Sequence, residues 1–381
     1  MRLEFASLPI PFRTRFEHAA AARDRAANVL VLAEDDDGHV GLGEGCPREY
    51  VTGETTASAL AALARWKATD LEALDDRAAL EAWMSEHEAE IDASPSAFAA
   101  LELALLDVLA RRERVSLERF LGVEDAGSLP RSSAVYGTGP TAKFLSQAAR
   151  FNAFGMRDAK LKVSGDGARD SGRARLLAWC GRVRLDANNL WISVDEACAA
   201  LDDLSRYAWA VEEPLRARDF VGLAAIGTRT RLTIVLDESV TRPADLASVV
   251  TGPSYILNAR VSKHGGLLRT LAMIRTAREH GFRVIVGAQV GETSILARAG
   301  VVAARAAGGA LAGFEGGYGT RLLARDATTA SLGFGYRGQM KMTGIGYEGA
   351  GLIPSDEVRR LMFAEYAAAI ARRGARNDAD P

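Results

Sequence analysis

Five ionisable residues, Lys162, Asp186, Glu212, Asp237 and Lys263, recur at intervals of 24, 26, 25 and 26. About 25 residues is what one strand, one helix and two short connections occupy. A chain with this rhythm can fold as a parallel α/β barrel that delivers every one of these groups to the same rim. Each closes an apolar or β-branched run: Ala159 to Lys162, Val183 to Asp186, Trp209 to Glu212, Leu232 to Asp237, and Tyr255-Ile256-Leu257 running on to Lys263. Such runs read as buried strands. The segments between them, Asp170 to Cys180, Val194 to Tyr207, Phe220 to Ile226, Pro243 to Val250 and Leu267 to His280, read as helices. Alternating strands and helices imply a parallel sheet.

Ser133 to Gly137 is expected as the first barrel strand, with others near 158, 183, 208, 232, 255, 283 and 310. The span is short beside the usual ~250 residues of such a barrel, so tight loops and one missing helix are expected. Ahead of it, Arg2 to Leu8, Ala27 to Ala33 and Val40 to Glu44 predict a three-stranded meander, with a turn at Asp35-Asp36-Asp37-Gly38. Phe12 to Arg25 reads as a functional loop. From Thr55 to Leu121 the apolar spacing is helical, and Ser94-Pro95-Ser96 starts its second strong helix. After Glu315 come glycine-rich sequence, Gly333 to Gly351, and a final helix from Ser355 to Ala368.

The order of the five groups is base, acid, acid, acid, base. Three converging carboxylates repel one another unless a cation neutralises them. Oxygen-only ligands select Mg²⁺, with Mn²⁺ as the alternative, over zinc. Lys162 and Lys263 would flank that ion, and an amine beside a cation loses its proton near neutral pH. Lys160 shares the strand face of Lys162 and can depress its proton affinity or hold a substrate carboxylate. These are the parts needed to take a proton α to a carboxylate and stabilise the resulting dianion, a known base-and-metal pattern of enolase-type sites.

Composition excludes other classes. The 381 residues carry a net charge of −2, which gives no reason to expect nucleic acid or an anionic membrane as partner. Cys46, Cys180 and Cys198 lack metal-ligand spacing and fit a reducing compartment. No stretch approaches the ~20 apolar residues of a membrane span, and the expectation is a cytoplasmic enzyme. Gly344-Ile345-Gly346-Tyr347-Glu348-Gly349 matches a dinucleotide fingerprint in letters, but too little chain follows for the second strand.

Lys160-Leu161-Lys162, Asp186-Ala187-Asn188, Glu212-Glu213-Pro214, Asp237-Glu238-Ser239 and Lys263-His264-Gly265-Gly266, together with Gly41 to Gly45, resemble the muconate-lactonizing subgroup of the enolase superfamily over nearly the whole chain. That resemblance implies a modified (β/α)₇β TIM barrel (126–325) under an α+β N-terminal capping domain (1–125), with a C-terminal segment (326–381) packing back on the cap. It implies Mg²⁺ on Asp186, Glu212 and Asp237, Lys162 and Lys263 as the acid/base pair, and cap loops near residues 13 to 25 and 48 to 55 closing on the substrate. Arg13, Arg15, Tyr50 and Thr52 are the substrate-facing candidates there, and a homo-oligomer is expected.

Glu213 stands where relatives often carry glutamine and competes with Glu212 as ligand; register favours Glu212. Glu213 and Glu238 can equally be partners of a lysine. Asn188 can contact a metal-bound water or cap a helix. Gln289 and Glu315 continue the 26-residue interval and both line the mouth in this reading, whereas Glu292 either joins them or caps a helix. Where dipeptide epimerases carry an Asp-x-Asp pair after the eighth strand, this chain has Phe314-Glu315-Gly316-Gly317-Tyr318. The leading expectation is racemisation or epimerisation of an N-acylamino-acid-like carboxylate. Cycloisomerisation, o-succinylbenzoate-type elimination, a catalytically silent scaffold and a Schiff-base aldolase are the alternatives.

Overall fold

The computed structural model describes residues 1–18, 21–68, 71, 74–124 and 128–362, without the side chains of 14–18 and 21–23. β1 (Arg2–His18), β2 (Ala21–Glu34) and β3 (Val40–Gly45) form an antiparallel sheet in that order. Of the segment Phe12 to Arg25, expected as a loop, residues 19–20 lie outside the described residues, and Phe12 to His18 and Ala21 to Arg25 instead prolong β1 and β2. Their pairing shifts register after Pro11 and resumes at Phe16 opposite Arg23. Proline has no N–H to give to the ladder, and Phe16 to His18 pair again with Ala21 to Arg23.

β3 shows why its glycines alternate. A Cβ on Gly41, Gly43 or Gly45 would collide with the carbonyl oxygens of Ala104, Ala100 and Ser96, one helical turn apart. The strand therefore lies directly on the backbone of the Pro95–Arg112 helix, whose residues Pro95 to Ala110 are buried. Only glycine permits so close an approach.

Eight parallel strands follow in sequential order: β4 (Ala134–Tyr136), β5 (Asp158–Lys162), β6 (Arg182–Asp186), β7 (Ala210–Glu212), β8 (Thr233–Leu236), β9 (Tyr255–Ala259), β10 (Arg283–Val286) and β11 (Leu311–Phe314). A bridge between Ser132 and Phe314 joins the last strand to the first, with Ser133 N–H donating to Phe314 O at 2.8 Å. The strands stand where the rhythm of the sequence predicts them. Inside the barrel, Ala210, Val235, Ile256, Ile285 and Ala312 form their own apolar cluster, separate from the larger core between sheet and helices. The connection after β8 keeps only one helical turn, Pro243–Leu246, shorter than predicted. The Ser294–Ala307 helix, N-capped by Thr293, precedes β11. A short hairpin, β12 (Gly333–Phe334) and β13 (Met340–Lys341), lies after the barrel.

Buried polar ties join the modules. Glu102 on the cap's long helix accepts the backbone N–H of Leu268 at 2.8 Å and that of Leu267, at the start of the Leu267–Glu279 barrel helix. Asp107 accepts from Leu42 N at 3.1 Å and Ala350 N at 2.8 Å, so the chain after the barrel returns to the cap. Of the predicted final helix, residues 356–362 are helical and the remainder lies outside the described residues. Among the described residues no helix is long and apolar enough to cross a membrane.

Candidate active site

Register brings the acids together. Lys162 pairs with Asp186 across β5 and β6, and Asp186 pairs with Glu212 across β6 and β7. Asp237 directly follows β8. All three carboxylates are buried at the strand tips, above the apolar plug of the barrel.

Lys160 lies one inward-facing step below Lys162. Its amine is 3.2 Å from Asp186 Oδ2, 3.0 Å from Glu212 Oε2 and 3.3 Å from Glu315 Oε1. Against the penalty of burial, these acids hold its pKa well above the ordinary value. Lys160 is thus a fixed cation beneath the site.

Lys162 is different. Its amine donates to Asn188 Oδ1 at 3.0 Å and lies 3.8 Å from Asp186 Oδ2. Burial lowers its pKa, Asp186 opposes this, and Lys160 lowers it further. The Asp186 carboxyl lies below its ordinary range because Lys160 and Lys162 outweigh its burial.

Across the site, Arg260 follows β9 and its Nη2 contacts Asp237 Oδ2 and stands 3.6 Å from Glu212 Oε1. Its Nη1 donates to Gln289 Oε1 at 3.2 Å. Lys263 sits in the next turn, Val261–His264, and donates to Asp237 O at 2.7 Å, Asp237 Oδ1 at 2.9 Å and Asn258 O at 2.8 Å. Burial and the neighbouring guanidinium push its pKa down to about 7. Side-chain exposure ranks these cations: 20% for Lys162, 11% for Arg260, 5% for Lys160 and 0% for Lys263.

The remaining candidates divide. Glu315 is buried and held to about 2, because Lys160 and Arg184 outweigh its desolvation; Arg184 Nη2 is 2.6 Å away. Glu213 turns from the mouth and accepts backbone N–H groups of Asp237 and Ser239. Burial, with Glu213 adding to it, raises Glu238 to about 8, and its Oε2 has no hydrogen-bond partner among the described residues. Glu292 accepts Gln289 N–H at 2.6 Å, closing a turn, while Thr293 caps the helix. Sequence reasoning passed over Arg260, Asn258 and Arg184. Their signal is the alternation of inward positions along β9 and β6.

The cap covers this mouth through residues 46 to 48. Cys46 N–H donates to Ser262 Oγ at 2.8 Å, and Arg48 Nη2 contacts Val290 O at 2.5 Å. Tyr50 and Thr52 lie in the adjoining Glu49–Thr52 turn, where the Thr52 hydroxyl donates to Glu54 at 2.8 Å. Arg13 is exposed on β1, and the Arg15 side chain lies outside those described.

A hard divalent cation suits the chemistry of Asp186, Glu212 and Asp237: three buried carboxylates, oxygen-only, on consecutive strand tips. Lys160 and Arg260 now neutralise them, each standing between two acids. Among the described residues, Asp35, Asp37 and His39 form a group whose ligand atoms lie within 4.8 Å of one another. Asp35, Asp37 and His39 belong to the cap turn, where Arg112 and His39 already pair Asp35.

Comparison with known proteins agrees with this architecture. Residues 6–122 match the mandelate racemase / muconate lactonizing enzyme N-terminal domain, and residues 143–331 match the enolase C-terminal domain-like family. The chain is similar to the L-Lys-D/L-Arg epimerase of Methylococcus capsulatus, 31% identical over 75% of this chain and 80% of that one. A dipeptide epimerase structure from the same organism, complexed with Mg and L-Arg-D-Lys, superposes with a TM-score of 0.76 at 26% identity, covering 92% and 99% of the two chains. The N-succinyl Arg/Lys racemase of Bacillus cereus shares the fold, with a TM-score of 0.79 at 20% identity, covering 94% and 96%. With both domains matched in order, the chain belongs to the mandelate racemase / muconate lactonizing enzyme family of the enolase superfamily, as an enzyme of the isomerase class.

Proposed function

We propose that this chain removes the α-proton of a small carboxylate, with Lys162 as the base. One observation carries the reading: of the lysines around the carboxylate trio, Lys162 alone combines a partly exposed side chain with a lowered pKa. Burial and Lys160 disfavour its ammonium form, so its amine loses a proton more readily than an ordinary lysine and is suited to act as a base. Mg²⁺, when bound, supplies a Lewis acid for the substrate carboxylate. Asp186, Glu212 and Asp237 would hold it in place of the contacts they now make with Lys160 and Arg260. Lys160, fixed as a cation beneath them, balances the charge of the site.

The substrate class follows from Glu315. Its carboxylate is consumed by Arg184 and Lys160 and is not free to receive a substrate ammonium. An amino acid whose nitrogen is acylated needs no such partner. The printed activities of the relatives, epimerisations of dipeptides, support racemisation or epimerisation as the reaction; the N-acylamino acid as substrate is our reading from the partners of Glu315. Chemistry confined to one face, ending in cycloisomerisation, is the second reading. It is favoured by the three hydrogen bonds that immobilise Lys263.

The experiment is proton washout. The protein, loaded with Mg²⁺, is mixed in deuterium oxide with a panel of N-acylamino acids and dipeptides. Loss of the Cα proton signal from N-acyl members is expected. No loss across the panel, with the metal bound, would refute the proposal.

A further inference from the structure

β9 carries its inward residues at every second position. Ile256 belongs to the apolar cluster inside the barrel, Asn258 Nδ2 donates to Glu212 Oε1 at 2.8 Å, and Arg260 reaches Asp237, Glu212 and Gln289. Lys263 is out of this phase. Its amine is fully buried and meets three acceptors, two of them backbone carbonyls, which matches the three donors of an ammonium. In the ring of eight strands, β9 lies four places from β5. Arg260 therefore faces Lys162 across the carboxylates.

We infer that Arg260, not Lys263, is the group at the second face of the bound carboxylate, and that Lys263 is a positioning residue tying the tips of β8 and β9. The inference rests on α-proton abstraction by Lys162 and, of the two readings above, takes the chemistry confined to one face. A guanidinium keeps its proton at every accessible pH. It can stabilise negative charge growing on the substrate, but it neither takes the α-proton nor delivers one. Proton traffic is then one-sided. The lone pair of Lys162 Nζ takes the proton, and the C–H electrons pass into the enediolate. The new ammonium returns that proton to the same face, re-forming the Cα–H bond as the enediolate electrons come back to Cα. Inversion at Cα is the slow outcome.

The test uses both enantiomers of N-acetylphenylalanine, N-succinylphenylalanine and N-succinylarginine with the Mg²⁺-loaded protein in deuterium oxide. Washout is followed by proton NMR and configuration by chiral chromatography. One enantiomer of a pair is expected to exchange with retention, with inversion slower by about 100-fold, the contribution of a placed acid or base. Arg260→Lys puts a titratable amine at the second face and is expected to raise inversion relative to washout about tenfold or more. Lys263→Met is expected to lower both in proportion. Inversion as fast as washout in the unaltered protein, abolished by Lys263→Met while washout persists, would overturn the inference. No washout of any compound, with Mg²⁺ binding seen by calorimetry, would instead refute the role of Lys162 on which it stands.

Discussion

Glu213 Oε1 accepts the backbone N–H of Asp237 at 2.6 Å, so the residue next to one proposed metal ligand positions another. The same oxygen accepts Ser239 N–H at 2.8 Å, and Oε2 accepts the Ser239 hydroxyl at 2.7 Å. A φ of +41° at Glu213 turns its side chain away from that of Glu212. Glu213→Ala strands two buried N–H donors, each costing about 1–3 kcal/mol, and frees the Asp237 tip. Urea unfolding and Mg²⁺ calorimetry should both register the loss. Glu213→Gln keeps an acceptor for the two N–H groups and should lose less on each.

Glu102 makes stability depend on pH. Burial raises its carboxyl to about 8, against the two N–H bonds from Leu267 and Leu268. The folded state therefore holds a proton that the unfolded chain releases near its ordinary pKa of 4.5. This contribution is fully present below that value and is lost as pH rises towards 8, with a limiting slope of about 1.4 kcal/mol per pH unit. Glu102→Gln removes that slope. Urea midpoints at pH 5, 6.5 and 8 should diverge as pH rises, the parent falling relative to the variant, and a constant difference would contradict the assignment.

Glu118 ties the cap to the barrel through two arginines. Its oxygens meet Arg298 Nη1 at 2.8 Å and Arg305 Nη1 at 2.5 Å, and its pKa is lowered because Arg298 outweighs burial. Glu118→Gln leaves the buried Arg298 charge uncompensated. A loss of about 3–5 kcal/mol is expected, read from thermal or urea unfolding, with proton washout per folded molecule nearly unchanged.

Much of this architecture is written in the sequence because strands and helices repeat at a fixed length. Lys162, Asp186 and Glu212 occupy one level of adjacent strands, so counting intervals finds them. Counting is weaker past a strand end. Lys263 keeps the interval from Asp237, yet β9 stops at Ala259 and its inward phase passes through Asn258 to Arg260. The direction of Glu213 depends on a positive φ, and Glu315 depends on Arg184, a residue 131 positions away. Neither relation leaves a local pattern to read.

The most direct measurement compares washout of the Cα proton by the parent protein and by Lys162→Ala, both loaded with Mg²⁺ and both shown by calorimetry to bind it. The account predicts exchange of an N-acylamino acid by the parent and a loss of about 10²–10⁴-fold in the variant, the size of one general base. Exchange undiminished in Lys162→Ala would contradict it.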